Sequence, residues 1–302
     1  METLGDVIRQ ELNEEHYNRK HIDGKIRKEI LNNLDMVLKI RQGVEMVKAY
    51  MAGTYYASKM ARIAQLQRMD IEAMVMDMFV GVSYSQRPEL FTSVTAQMSA
   101  RLGFSDRTEA ITTVAELLAV LCPTDAFDIT KESRQASLMV VSRIPLSDEL
   151  IKFIENSEFL PPMVCEPLEL VHNHSSGYLT HNDSLILGSG NHHDGDLCLD
   201  VLNTINKVAF SLDTEFLCKV EEEPTFELDS QDKHDQWMRF KKQSYEFYKL
   251  MNQQGNRFYF CNKVDKRGRI YAQGYHLNPQ GTAFKKAQLE LANKELVCGV
   301  PS

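Results

Sequence analysis

The chain has 302 residues, 43% of them hydrophobic and 25% charged, enough for a sizeable core and for two or three domains of ordinary globular composition. No window approaches eighteen continuous apolar residues, and the opening METLGDVIRQELNEEH is acidic with no apolar stretch, which argues against a membrane span, a membrane partner and a secretory signal. The formal net charge of −8 is unevenly spread: residues 231–302 hold 13 Lys+Arg against 6 Asp+Glu, net +7, and residues 1–230 hold 21 against 36, net −15. A basic quarter on an acidic body points to a localised nucleic-acid contact, or else to a solvated basic face. Cys122, Cys165, Cys198, Cys218, Cys261 and Cys298 are scattered without a CxxC, and read as reduced thiols of a cytoplasmic protein.

Residues 1 to about 60 carry a helical pattern: Ile26, Ile30, Leu34 and Leu38 recur every four residues, with Val37, Val44 and Val47 near the same side. After Gly53 a second helical run covers 56–80 with Met60, Met69, Met74, Met76 and Met78. Such a stripe is adaptable core, with a partner-binding face as the alternative. Arg87-Pro88 breaks the pattern, helices are expected over 90–101 and 108–121, a short strand or buried segment over 137–143, and a helix near 147–155. No internal repeat or low-complexity linker is present.

His172, His174, His181, His192 and His193 fall within 22 positions, followed by Asp194 and Asp196. Imidazole and carboxylate together suit zinc or iron, and a metal-dependent hydrolase is the reading this would support. The segment lacks HExxH and is rich in Gly, Ser and Asn, so a polar loop is the expectation and no metal ligand is assigned. Residues 233–251 form the clearest amphipathic helix, with Trp237, Phe240, Phe247, Tyr248 and Met251 on one side and Ser244 as a small polar gap. Arg239, Lys242, Glu246 and Lys249 lie opposite.

The segment 258–264, FYFCNKV, reads as a strand, 265–268 (DKRG) as a turn that uses glycine, and 269–273 as the returning strand. Gly281-Thr282 marks a helix start, continued through Ala283, Ala287, Leu289 and Leu291. Lys266, Arg267 and Arg269 surround the turn, and Lys285 and Lys286 sit in the first turn of the helix, where cations are unfavourable unless an anion lies near.

The run Asp265-x-x-Gly268-Arg269, Ile-Tyr271-Ala, Asn278-Pro279-Gln-Gly281 and Lys285 or Lys286 resembles the DxxGR block of the single-subunit phage and mitochondrial RNA polymerases. Three softer similarities precede it in the family's order: Pro162-Met163 to Pro167, Ser176-Gly177-Tyr178, and the helix-like run from Asp200 to Leu212. The resemblance implies an α-rich α+β fold: a helical N-terminal domain over 1–160, a connecting segment with the His-rich loop over 161–230, a short thumb helix over 231–256, and the start of a palm over 257–302. It implies that Arg267 and Arg269 hold template or hybrid phosphates, that Tyr271 packs beside them, and that Lys263, Lys285, Lys286, Arg239 and Lys242 add charge to the channel. Asp265, Gly268, Asn278, Pro279 and Gly281 would be structural.

Two-metal nucleotidyl transfer needs paired carboxylates holding Mg²⁺ about 3.5–4 Å apart. In the family these follow the DxxGR block, whereas here only Glu290 and Glu295 do; His193-Asp194 precedes it and is not the family's catalytic His-Asp. The expectation is a subunit with no catalytic residue of its own, ending naturally at Ser302, as in the family's two-chain phage members. Its partners would be a larger chain with the remaining palm, the fingers and Mg²⁺, together with the DNA template and the RNA–DNA hybrid, in the cytoplasm of an infected bacterium. A helper that delivers single-stranded DNA is a further candidate. The rival is a regulatory protein that binds a nucleic-acid enzyme.

Overall fold

The computed structural model describes residues 3–131, 137–180, 184–188 and 191–294; His181 and the tail with Glu295 and Cys298 lie outside them. The chain divides into two compact units, Arg19–Glu155 and Met1–Asn18 with Asn156–Ser302. Helix α1 (Leu4–His16) belongs to the second of these.

The unit Arg19–Glu155 contains α2 (Arg19–Asn32), α3 (Leu34–Met51), α4 (Ala57–Leu66), α5 (Ile71–Val82), β1 (Glu89–Leu90), α6 (Phe91–Met98), α7 (Arg107–Leu121), β2 (Phe127–Lys131), β3 (Leu138–Ser142) and α8 (Asp148–Asn156). The strands form an antiparallel sheet in the order β1-β3-β2. Ile26, Ile30, Val47, Phe79, Leu117 and Phe127 lie in its core. Met74, Met76 and Met78 are buried in that core, so the part of the methionine stripe on α5 packs inward, whereas Met60 on α4 is 39% exposed.

The stripe expected through Ile26, Ile30, Leu34 and Leu38 fails at Asn33. Its side chain accepts from the Met36 amide at 3.2 Å and starts a new helix. The restart resets the helical phase, so Met36, Ile40, Val47 and Met51 turn inward while Leu34 and Leu38 stand 76% and 54% exposed. Strand β2 is an addition to the expected elements: Phe127 and Ile129 alternate with Asp128 and Thr130 over a short run that pairs with β3.

The second unit adds α9 (Leu199–Asn206), β4 (Ala209–Leu212), α10 (Thr214–Lys219), α11 (Gln231–Gln253), β5 (Phe258–Tyr259), β6 (Asn262–Val264), β7 (Ile270–Ala272), α12 (Ala283–Ala287) and β8 (Leu289–Leu291). One antiparallel sheet has the order β5-β4-β8, and β6 and β7 form a hairpin. The helical run expected over 200–212 stops at Asn206, and residues 209–212 are central strand β4 instead. The helix expected to continue through Leu289 and Leu291 ends at Ala287, because β8 pairs with β4. Both corrections have one cause: sheet pairing overrides a weak local helical pattern. With helices predominating over small sheets, the fold is α-rich α+β. Among the described residues no helix is long and apolar enough to cross a membrane.

Candidate nucleic-acid interface

The segment 258–264 is one extended run shared by two sheets. Phe258 and Tyr259 pair with β4, and Asn262 to Val264 turn to pair with β7. It is buried throughout, and four distant stretches of chain close on it. Met163 exchanges backbone hydrogen bonds with Tyr259 at 2.9 and 2.8 Å. Gly177, at φ +76°, lies where an added Cβ would stand 3.2 Å from Cys261 Sγ and 3.3 Å from Pro167. The Asn206 side-chain oxygen accepts from the amide and side chain of Asn262 at 2.9 and 3.0 Å. Val264 is held by the segment around Ile186, with Val264 N donating to Leu185 O at 2.9 Å and Leu187 N to Val264 O at 2.8 Å. A strand clamped on every side gives the following turn a rigid base.

That turn is closed by Gly268 N donating to Asp265 O and Asp265 N to Arg269 O, both at 2.9 Å. Gly268 takes φ +80°, the left-handed conformation that lets a three-residue connection rejoin two twisted strands. Asp265 organises the turn. Its Oδ1 accepts from the Arg267 and Arg269 amides at 2.9 and 3.0 Å. Its Oδ2 accepts from Arg267 Nη2 at 3.1 Å, Arg269 Nε at 2.9 Å and the Tyr271 hydroxyl at 3.3 Å. Desolvation raises the Asp265 carboxyl, but the hydrogen bonds and charge of Arg269 outweigh it and hold the group below its usual value. With both oxygens engaged by these donors, Asp265 is poorly suited to a metal. Meanwhile the Arg267 and Arg269 side chains remain 71% and 52% exposed. They are pointed by one carboxylate yet open to solvent, an arrangement that suits bidentate contacts to phosphate.

The loop after β7 locks the hairpin in place. Gln280 donates to Ile270 O at 3.0 Å and accepts from Ala272 N at 2.8 Å, so its amide stands in for a neighbouring strand along β7. Asn278 donates to Gly274 O at 2.8 Å and accepts from Gln280 N at 2.8 Å. Thr282 caps α12 by accepting from Lys285 N. Sequence reasoning passed over Gln280, although a long amide beside an edge strand was the available signal.

The other cations separate into two groups. Lys266, Lys286, Arg239 and Lys242 are exposed. Lys263 is 7% exposed within β6 and does not join the open charge. Lys285 Nζ donates to Tyr275 O at 2.7 Å and lies 5.2 and 5.1 Å from the Phe240 and Tyr275 ring centres. Burial lowers the Lys285 pKa, with Glu222 opposing the shift, so this lysine clips α12 to the aromatic layer. In that layer α11 buries Phe247, Tyr248 and Met251, and Trp237 and Phe240 stack at 5.4 Å. Ser244, the polar gap in the stripe, shares a 2.8 Å hydrogen bond with Nδ1 of buried His276. His276 carried no signal in the sequence.

The histidine-rich stretch is a loop tied by Asn173, which donates to the carbonyls of His193 and Gly195 at 2.7 Å. The rings of His172, His174 and His192 follow one another at 6.2 and 5.6 Å. Among the described residues no group of three or more His, Cys, Asp or Glu side chains could hold a metal ion.

No protein-family model matches the chain. It is 28% identical over 144 residues to a probable DNA-directed RNA polymerase of Gelasinospora sp. (strain G114), an alignment covering 43% of this chain. The chain spans only 17% of that relative's length. The similarity is distant, and it is to a DNA-directed RNA polymerase.

Proposed function

We propose that this chain is the small, non-catalytic subunit of a two-chain DNA-dependent RNA polymerase of the single-subunit type, as in the N-four-type podophages. It contributes the helical N-terminal domain, α11 as a short thumb, and the β6–β7 hairpin as the grip on template and hybrid. Arg267 and Arg269 hold backbone phosphates, and Tyr271 packs beside them. Lys266, Lys286, Arg239 and Lys242 add sequence-independent attraction. Nucleotidyl transfer, with its paired aspartates and Mg²⁺, belongs to the partner chain that carries the remaining palm and the fingers.

The observation that carries this reading is convergence. The segments around Met163, Gly177 and Asn206, each only softly similar to the polymerase family, all pack on the strand that leads into the arginine turn. The distant similarity to a DNA-directed RNA polymerase supports the same class. Its test is fluorescence anisotropy of the full chain with a short RNA–DNA hybrid over a salt series. Arg267→Ala and Arg269→Ala should each weaken binding about tenfold and lower the salt slope by about one. Lys263→Ala should leave the slope alone. Equal slopes in all three variants would contradict the assignment of the turn as the phosphate grip.

A further inference from the structure

Helix α1 is built inside out. Its buried residues are Gln10, Asn13 and Glu14, and its exposed ones include Leu4, Ile8 and Leu12, at 77%, 47% and 59%. The polar face is anchored by specific bonds. Gln10 Oε1 accepts from Val164 N at 2.9 Å. Glu14 accepts from Leu179 N, Thr180 N and the Thr180 hydroxyl at 2.8, 2.5 and 2.6 Å. Asn13 and Gln254 exchange amide hydrogen bonds at 2.8 and 3.0 Å. Burial raises the Glu14 pKa, but the bonds from Thr180, Gln10 and Leu179 outweigh it and keep the pKa below its usual value. The fold therefore holds α1 by a buried carboxylate and two amides, and spends none of the i, i+4, i+8 stripe on its own core. A surface helix ordinarily does the reverse.

The stripe has an acidic neighbour, because Glu11 is exposed and lies on the same side of the helix. Three side chains on a helix of 13 residues present on the order of 300 Å² of apolar surface, against about 800 Å² per partner for a stable interface. Two copies of the chain meeting through this stripe alone fall well short of that. The stripe suits one element of a larger contact: an amphipathic helix laid into an apolar groove whose rim is basic, to complement Glu11.

We propose that Leu4, Ile8 and Leu12 dock into a basic-rimmed apolar groove on the polypeptide that supplies the remaining palm and the fingers, an inference resting on the two-chain reading above. The stripe is then an assembly surface distinct from the arginine turn that grips nucleic acid. The test uses the full chain and the purified larger chain, with affinity measured by biolayer interferometry. L4S/I8S/L12S should weaken association at least about tenfold, and E11K should weaken it and flatten its salt dependence. Both variants should melt like the parent, since the altered side chains are exposed, and at saturating larger chain both should extend primers normally. Tight wild-type binding that neither variant alters would overturn the docking surface and leave the two-chain reading standing. No binding by the wild type would overturn both. A dimer of this chain abolished by L4S/I8S/L12S would overturn it in favour of self-association.

Discussion

His276 is 1% exposed, with the rings of Phe247, Phe240 and Phe159 at 4.8, 5.2 and 5.4 Å. Burial first, and the charge of Lys285 second, push its pKa down from 6.5 to about 4. The unfolded chain therefore takes up a proton between pH 6.5 and 4 that the folded chain refuses. Stability is complete above pH 6.5 and falls as the pH drops through that window, by at most roughly 3 kcal/mol from this group. Urea unfolding from pH 7.5 to 5 should show this fall in the wild type and a shallower one in His276→Gln. Parallel curves would contradict a neutral buried imidazole. The same residue shows what sequence reasoning lacks. Ser244 was visible as a break in an apolar stripe, but its partner lies 32 positions away, and no local pattern marks that pairing.

At the scale of elements, the β6–β7 hairpin depends on Gly268 at φ +80°, and the end of α11 depends on Gly255 at φ +103°; neither has an atom within 4 Å of where a Cβ would stand. Alanine at either position should cost about 1–2 kcal/mol through the backbone alone. Only Gly268→Ala should also weaken hybrid binding, because only that turn carries Arg267 and Arg269. Equal loss of affinity in both variants, measured beside their melting temperatures, would show that general destabilisation and not the turn governs binding. Elements with strong local signals were legible: α11 from its stripe, the hairpin from an aromatic strand followed by DKRG, and β3 from its apolar run. Elements decided by pairing were not. Phe258 to Val264 reads as one strand but serves two sheets. Leu289 to Leu291 has helical neighbours yet pairs with β4. Asn33 could have been read as a cap, and the regular spacing of Ile30, Leu34 and Leu38 hid it.

For the whole molecule, the charge asymmetry of the sequence and the geometry of the second unit support the same reading. The basic quarter holds the exposed arginine turn, and the polar anchoring of α1 leaves an apolar stripe available to a second protein. The role proposed for this chain is to grip nucleic acid for a reaction performed on its partner. Primer extension on an RNA–DNA hybrid, with this chain alone, the larger chain alone and the mixture, tests it most directly. Extension is expected only from the mixture; extension by this chain alone, or silence from the mixture with no complex formed, would contradict that role.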